Sequence, residues 1–204
     1  MDPRIATLLD AWFGPPPDGP EAADRLVSRW FVPDAKNDRE IERRFGDLAA
    51  CAARGELDVW RGTARGRLAL ILLLDQIPRQ LNRGTAAAFA QDAKALELAL
   101  TGIERRLDLE LEPLERAFFY MPLQHAEAPA IQDLAVRKYE ELAAEPSMPP
   151  HLAQALAKFA DYARAHRNIV ERFGRFPHRN AALGRETTAD EAAYLAEGAP
   201  TFGQ

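Results

Sequence analysis

The chain has 204 residues, of which 47% are hydrophobic, and its net charge is -5. This length suffices for one domain that buries roughly 70% of its unfolded surface, and we predict a single domain over residues 1–204. The acidic balance argues against general nucleic-acid binding. The longest apolar run, residues 68–74, is far shorter than the ~20 residues of a membrane span, so we expect no membrane association.

The single Cys51 cannot form an intramolecular disulfide, and the first residues lack the basic and apolar regions of a secretion signal. We therefore predict a cytoplasmic protein. Cysteine and histidine spacings typical of metal sites are absent, as are glycine-rich nucleotide loops and the GxSxG serine motif. These absences predict no metal and no cofactor, and they argue against acyl-serine and P-loop chemistry.

Helical periodicity dominates the chain. The apolar pattern predicts helices near residues 4–13, 20–30, 37–53, 64–77, 85–105, 113–121, 127–144 and 149–173, and a short last helix that begins at Thr188. Gly174 is the predicted left-handed terminator of the helix over residues 149–173. Thr188 and Glu191 have the spacing of a capping box, which predicts a helix start at this point.

Two segments break the helical pattern. The sequence GPPPDGP at residues 14–20 predicts a stiff turn between the first two helices. Residues 107–113, LDLELEP, alternate like a strand, but an isolated strand has no partner, so we predict a connector to a helix begun by Pro113. The predicted fold is therefore an all-α antiparallel array of about eight to ten helices.

Three segments place an apolar residue and a proline beside polar groups. They are DQIPRQ at residues 75–80, YMPLQH at residues 120–125 and RFPHRN at residues 175–180. Since proline lacks an amide hydrogen and crowds the preceding turn, we expect each segment to end or kink a helix. In an antiparallel array, two or three of these proline segments could share one surface.

Longer blocks around the proline segments resemble a known family. They are LLLDQIPRQLNRGT at 72–85, FFYMPLQHAE at 118–127 and HRNIVERFGRFPHRNAALGRETT at 166–188, with the aromatic pairs at 12–13 and 30–31. In this order they resemble a bacterial family catalogued as domain of unknown function 924. The resemblance covers nearly the whole chain. It implies a helical fold similar to the tetratricopeptide superfamily, a right-handed superhelix, and it implies no particular activity.

The chain departs from the family pattern at two of these blocks. The family usually has DQFPRN, where this chain has Ile77 and Gln80, and it usually has HSE, where this chain has Ala126. The first change removes an aromatic side chain and an asparagine amide. The second removes a hydroxyl that could cap the next helix.

Asp75 is the first candidate site residue. It follows seven apolar residues, so we expect its carboxylate to be at least partly buried, and a buried carboxylate needs a partner. Arg79, one helical turn later, is the candidate partner in a structural ion pair. A functional role for Asp75 is the alternative interpretation.

Three histidines are further candidates. His166 lies in the apolar stripe of its helix, so it is either a core histidine that donates to a neighbouring carbonyl or a chemical group. His178 lies between two arginines, whose charges would lower its pKa and keep it neutral, either in a site or in a solvated loop. His125 follows a proline segment, and Glu127 nearby could serve a site or a helix dipole.

Arginines are concentrated near the end of the chain. From Arg164 to Arg185 there are six arginines and one acid, Glu171. Their planar groups suit a carboxylate or phosphate of a ligand, or else internal carboxylates of the fold. The candidate ligand-binding residues are Arg79, His125, Glu127, Arg172, Arg175, His178, Arg179, Asn180 and Arg185.

Two functional hypotheses follow from these residues. The first is a non-catalytic protein whose polar pocket binds an anionic small molecule or an acidic peptide segment of a partner. The second is an enzyme that acts on an anionic, for example phosphorylated, substrate, with His178 or His166 as general acid or base. Asp75 is the third catalytic candidate. The sequence leaves both hypotheses open.

Overall fold

The computed structural model describes residues 2–146, 148–200 and 202. The first and third helices each begin at an aspartate cap. Asp2 accepts a hydrogen bond from the Arg4 amide, and Asp34 accepts one from the Lys36 amide. The α-helices are α1 (Pro3–Phe13), α2 (Pro20–Phe31), α3 (Ala35–Ala53), α4 (Ala64–Ile71), α5 (Ile77–Leu81), α6 (Asp92–Glu104), α7 (Pro113–Phe119), α8 (Met121–Gln124), α9 (Pro129–Ala143), α10 (Pro150–Phe173) and α11 (Ala189–Ala196).

These boundaries confirm the all-α prediction. Gly174 ends α10 at φ 72°, and Thr188 and Glu191 form the predicted capping box before α11. Residues Leu107–Glu110 form a short 3₁₀ turn that leads into the proline-begun helix α7, as expected of a connector. The helix predicted over residues 85–105 is divided, because a 3₁₀ turn at Ala86–Phe89 precedes α6. No strand occurs among the residues that the structure describes.

The segment from α4 to α5 lies at the centre of the hydrophobic core. Every apolar side chain from Leu68 to Leu74, and that of Ile77, is fully buried. Helices α1, α6 and α7 pack around α4, and α3 packs on α5. The main core joins side chains from α1 to α10, while a small second cluster beneath α11 centres on Phe176. In the described part of the chain, no helix is long and apolar enough to cross a membrane.

The proline segments bend a helix or follow the end of one, as expected from the sequence. Between α4 and α5, residues Leu72–Gln76 form a π turn in which the Ile77 amide donates to the Leu72 carbonyl, five residues earlier. This wider turn carries the helix past Pro78, which cannot donate. Pro122 lies in the first turn of α8, where its missing amide hydrogen costs nothing. Pro122 also follows the end of α7, and Pro177 follows the end of α10.

The tight packing of α4 predicts opposite effects for one substitution at two helical glycines. A Cβ at Gly66 would collide with the Trp60 carbonyl oxygen, whereas at Gly46 in α3 the nearest atom is 3.8 Å away. We expect Gly66→Ala to lower the free energy of unfolding by about 1–3 kcal/mol. Gly46→Ala should raise it by about 0.5–1 kcal/mol through helix propensity. Urea unfolding of both variants tests this, and equal effects would contradict the packing.

Candidate functional site

The three proline segments meet at one cavity of about 210 Å³. Arg79 reaches it from α5, Gln124 and His125 from the end of α8, and His178 and Arg179 from the 3₁₀ turn after α10. The sequence prediction that these segments could share a surface therefore agrees with the structure. The cavity collects polar side chains that lie up to about a hundred residues apart in the chain.

The opposite wall of the cavity is aromatic. Trp30 and Phe31 come from the end of α2, Phe159 and Tyr162 from α10, and Phe202 follows α11. Phe31 and Tyr162 are 40% and 53% exposed, so they lie at the rim. The Phe202 ring stacks on His166 with 3.7 Å between ring centroids. The cavity thus has a polar side and an apolar side.

Asp75 is fully buried and organises the polar side. Its Oδ1 forms an ion pair with Nη1 of Arg79 at 3.0 Å and accepts from Nδ1 of His125 at 2.8 Å, while Oδ2 accepts from Gln76 at 2.6 Å. Burial alone would raise the pKa of Asp75. The charges and hydrogen bonds of these neighbours outweigh it and hold the pKa well below its ordinary value. The predicted ion pair with Arg79 is confirmed, and His125 is a partner that the sequence did not indicate.

A second carboxylate, Asp92 at the start of α6, joins two guanidinium groups. Arg79 donates to both of its oxygens at 2.8 Å, and Nη1 of Arg179 lies 3.5 Å from Oδ2. The pKa of Arg79 is raised, because these carboxylates outweigh its burial. Sequence reasoning missed Asp92, since no local pattern connects it with either arginine.

Arg179 is the less completely paired of the two arginines. Besides its distant contact with Asp92, its Nη1 donates to the His125 carbonyl at 3.1 Å. The guanidinium lies between the rings of Phe89 and Phe176, at 4.7 and 4.4 Å from their centroids. Its Nε has no hydrogen-bond partner among the described residues. Burial and the charge of Arg79 lower the pKa of Arg179 to about 10, so it remains charged at neutral pH.

The three cavity histidines are neutral at pH 7. Burial and Arg79 lower the pKa of His125 despite the opposing effect of Asp75. The pKa of His166 is well below its ordinary value, chiefly through burial, and its Nδ1 donates to the Tyr162 carbonyl at 2.8 Å. This is the core-histidine geometry expected from the sequence. Burial and Arg179 lower the pKa of His178 to about 4.

Five of the predicted ligand-binding residues do not line the cavity. They are Glu127, Arg172, Arg175, Asn180 and Arg185. Four of them pair within the protein, as the alternative interpretation of the arginine cluster proposed. The remaining one, Arg172, is exposed and lies over the rings of Phe173 and Tyr194.

Two internal ion pairs hold the segment that carries His178 and Arg179. Arg175 binds Glu191 of α11 through Nε and Nη2 at 2.6 and 2.8 Å, and Arg185 binds Glu127 at 2.6 and 3.0 Å. These contacts lower the pKa of Glu191 to about 2, and the pKa of Glu127 is also lowered although its burial opposes the shift.

Asn180 strengthens the same region. It is fully buried and donates to Glu191 at 3.2 Å and to Thr187 at 3.3 Å. Because the planar guanidinium groups of Arg175 and Arg185 are already matched by these internal carboxylates, both arginines act on the cavity only by fixing its wall.

Metal binding has no geometric support in the described residues. Although three histidines line the cavity, no three histidine, cysteine, aspartate or glutamate side chains of the described ranges come together as potential ligands.

Comparison with known proteins places the chain in a family. The model of the bacterial protein of unknown function family DUF924 matches residues 8–199. The chain belongs to this family. The DUF924 chain is also similar to the solved structure of a protein of unknown function from Agrobacterium tumefaciens. The two are 39% identical, with a TM-score of 0.79 over 96% of this chain and 98% of that one. No curated protein matches the chain.

Proposed function

We propose that the cavity binds a small organic anion, a monocarboxylate that carries an apolar, preferably aromatic, group. The observation that carries this proposal is Arg179. Arg179 is 5% exposed and lines the cavity, and its hydrogen bonds to Asp92 and to the His125 carbonyl both use Nη1, so they leave Nη2 for a ligand. A buried charge that is incompletely paired is costly, so a ligand carboxylate at this point would be stabilised by both charge and hydrogen bonds.

The charge balance favours one carboxylate over a phosphate. Arg79 and Arg179 face two carboxylates, Asp75 and Asp92, and the third cavity arginine, Arg83, is bound by Asp38 of α3. The formal charges of these six groups cancel. A dianionic phosphate would therefore leave a larger uncompensated charge in a buried site than a carboxylate would, which disfavours it.

The size and aromatic wall of the cavity favour a small ligand with an apolar part. Its volume of about 210 Å³ lies below the ~300–1,000 Å³ of pockets that hold drug-sized ligands. An aryl ring would fit between the aromatic side chains of α2 and α10 with its carboxylate toward Arg179. An acidic peptide, the other partner considered from the sequence, would be too large for the enclosed part of this volume.

A second candidate function is an enzyme that acts on the same class of anion. The Asp75–His125 pair favours it, because a carboxylate that accepts from Nδ1 orients the imidazole and leaves Nε2 as a base. His125 thus replaces His178 and His166 as the best-supported candidate base. Incubation of the protein with bound carboxylates, followed by NMR of the ligand, would distinguish conversion from binding alone.

Substitution of Arg179 tests the binding proposal. Phenylacetate should raise the melting temperature of the native protein by several degrees at saturating concentration. Arg179→Met should weaken its binding about 10- to 100-fold by calorimetry, because a charge-assisted contact is lost. Phenyl phosphate should bind the native protein more weakly than phenylacetate.

Arg172→Met is the matched control, since Arg172 is exposed and lies outside the cavity. This variant should bind phenylacetate as the native protein does. Equal affinity of the Arg179 and Arg172 variants would overturn the proposal.

Two broader expectations belong with this proposal. The resemblance to the tetratricopeptide superfamily supports a right-handed superhelical arrangement of the helices, in which such a cavity would lie on the concave side. The single cysteine, which cannot form an intramolecular disulfide, supports a reducing compartment, the cytoplasm.

A further inference from the structure

His125 offers the cavity a hydrogen-bond acceptor of fixed orientation. Its Nδ1 lies 2.8 Å from Oδ1 of Asp75. Because the Asp75 carboxylate is held in its charged form by Arg79 and Gln76, it can only accept, and Nδ1 must therefore carry the proton. In a neutral imidazole the other nitrogen, Nε2, is then an acceptor. Since His125 lines the cavity, Nε2 is the nitrogen that remains for a ligand.

Gln124, the residue before His125, also lines the cavity, but its Oε1 is enclosed by the protein and has no hydrogen-bond partner among the described residues. Because an enclosed atom does not reach a ligand, the inference rests on Nε2 of His125. An acceptor that lines a largely enclosed cavity favours a ligand with a proton to donate.

The acceptor on His125 lies next to the cation Arg179. Nη1 of Arg179 donates to the backbone carbonyl of His125, and this hydrogen bond holds the guanidinium close to the residue that carries the imidazole. A ligand that places its carboxylate on Arg179 has only a short reach to Nε2 of His125. The donor group must therefore lie on the carbon next to the carboxylate or close to it.

We infer that the cavity is selective for aromatic 2-hydroxy carboxylates, whose carboxylate binds Arg179 and whose hydroxyl donates to Nε2 of His125. This inference rests on the proposed function and adds the ligand class. An ammonium in place of the hydroxyl would also donate, but it would add a positive charge beside Arg79 and Arg179. A ketone cannot donate and would oppose its oxygen to the lone pair of Nε2.

Four ligands that differ at one carbon test the inference by calorimetry on the native protein. They are mandelate, phenylacetate, phenylglyoxylate and phenylglycine, which carry a hydroxyl, no substituent, a ketone and an ammonium. One enantiomer of mandelate should bind roughly ten-fold more tightly than phenylacetate, as expected of one net hydrogen bond. Phenylglyoxylate and phenylglycine should bind no better than phenylacetate.

His125→Asn is the decisive variant. Asparagine can keep an N–H near the position of Nδ1 for Asp75, and it has no atom at the position of Nε2. In this variant the preference for mandelate over phenylacetate should fall to near one-fold. His151→Asn is the control, because His151 bonds the Pro17 carbonyl and lies outside the cavity, and it should keep the preference.

The outcomes separate the two proposals. If phenylacetate binds and depends on Arg179, but the hydroxyl adds nothing or its gain survives in His125→Asn, the hydroxy-acid inference is wrong and the carboxylate site stands. If none of the four ligands binds the native protein, both proposals are wrong. A folded circular dichroism spectrum of each variant excludes loss of structure as the cause.

Discussion

Replacement of Asp75 by alanine should lower the free energy of unfolding by about 3–5 kcal/mol. The carboxylate is fully buried, forms an ion pair with Arg79 and accepts hydrogen bonds from His125 and Gln76. Its removal leaves these donors in the core without their acceptor, and the desolvation cost of each is no longer offset. Arg79 retains its ion pair with Asp92, which limits the loss of stability. Chemical denaturation at pH 7.5 measures the difference.

Asp161→Ala is the matched control for this substitution. Asp161 in α10 pairs with Arg164 at 2.6 Å, but its side chain is 75% exposed. Exposed ion pairs contribute about 0–1 kcal/mol, so this variant should be nearly as stable as the native protein. Similar losses at Asp75 and Asp161 would contradict the central role given to the buried carboxylate.

Stability should fall steeply as the pH decreases from about 6.5 to 4. His178 has a pKa of about 4 in the folded protein against an ordinary value of 6.5, because it is buried beside Arg179. Between these two pH values His178 binds a proton in the unfolded chain but not in the folded protein, so acid favours unfolding. The contribution of neutral His178 to the free energy of unfolding is fully present above pH 6.5, and its loss amounts to about 3 kcal/mol by pH 4.

His125 and His166 act in the same direction, since burial lowers the pKa of both. Unfolding free energies measured at intervals from pH 7.5 to 5 would report the protonation of the histidines. The paired carboxylates Glu127 and Glu191 have lowered pKa values and titrate at lower pH. His178→Gln should flatten this slope. A native profile that stays level between pH 6.5 and 5 would show that the imidazoles are not buried as described.

The helices could be predicted because their signals are local. The capping box of Thr188 and Glu191 spans four residues, and Gly174 terminates α10 through its own backbone conformation. Apolar periodicity located most of the other helices for the same reason. The prediction was poorest at residues 64–81, where a π turn departs from the α-helical period.

The candidate site could be predicted only in part, because the pairing of charges depends on the tertiary fold. The sequence located a dense group of arginines, yet Arg175 and Arg185 are occupied by Glu191 and Glu127. Asp92 lies 87 residues from Arg179, and no sequence pattern predicted the contact between them. The proline segments did indicate where the cavity lies, since each brings polar side chains to a bend in the chain.

The aromatic wall illustrates a different limit. Trp30 and Phe31 were noted as a pair, but aromatic residues at helical spacing are ordinary core residues, and nothing local distinguishes a wall from a core. The structure separates them by exposure, because Trp30 is buried and Phe31 lies at the rim.

Because of the π turn at Leu72–Gln76, the direction of the cavity side chains that follow it depends on the number of residues in the apolar run. A hydrogen bond to the fifth preceding residue encloses one more residue than an α-helical bond does. Each residue of an α-helix advances the side-chain direction by about 100°. Deletion of one residue from the apolar run would therefore turn Arg79 and Gln80 about 100° away from their present direction while leaving every polar residue in the sequence. In this protein, insertion or deletion in a wholly apolar stretch is a route by which ligand preference could change without any substitution in the binding site.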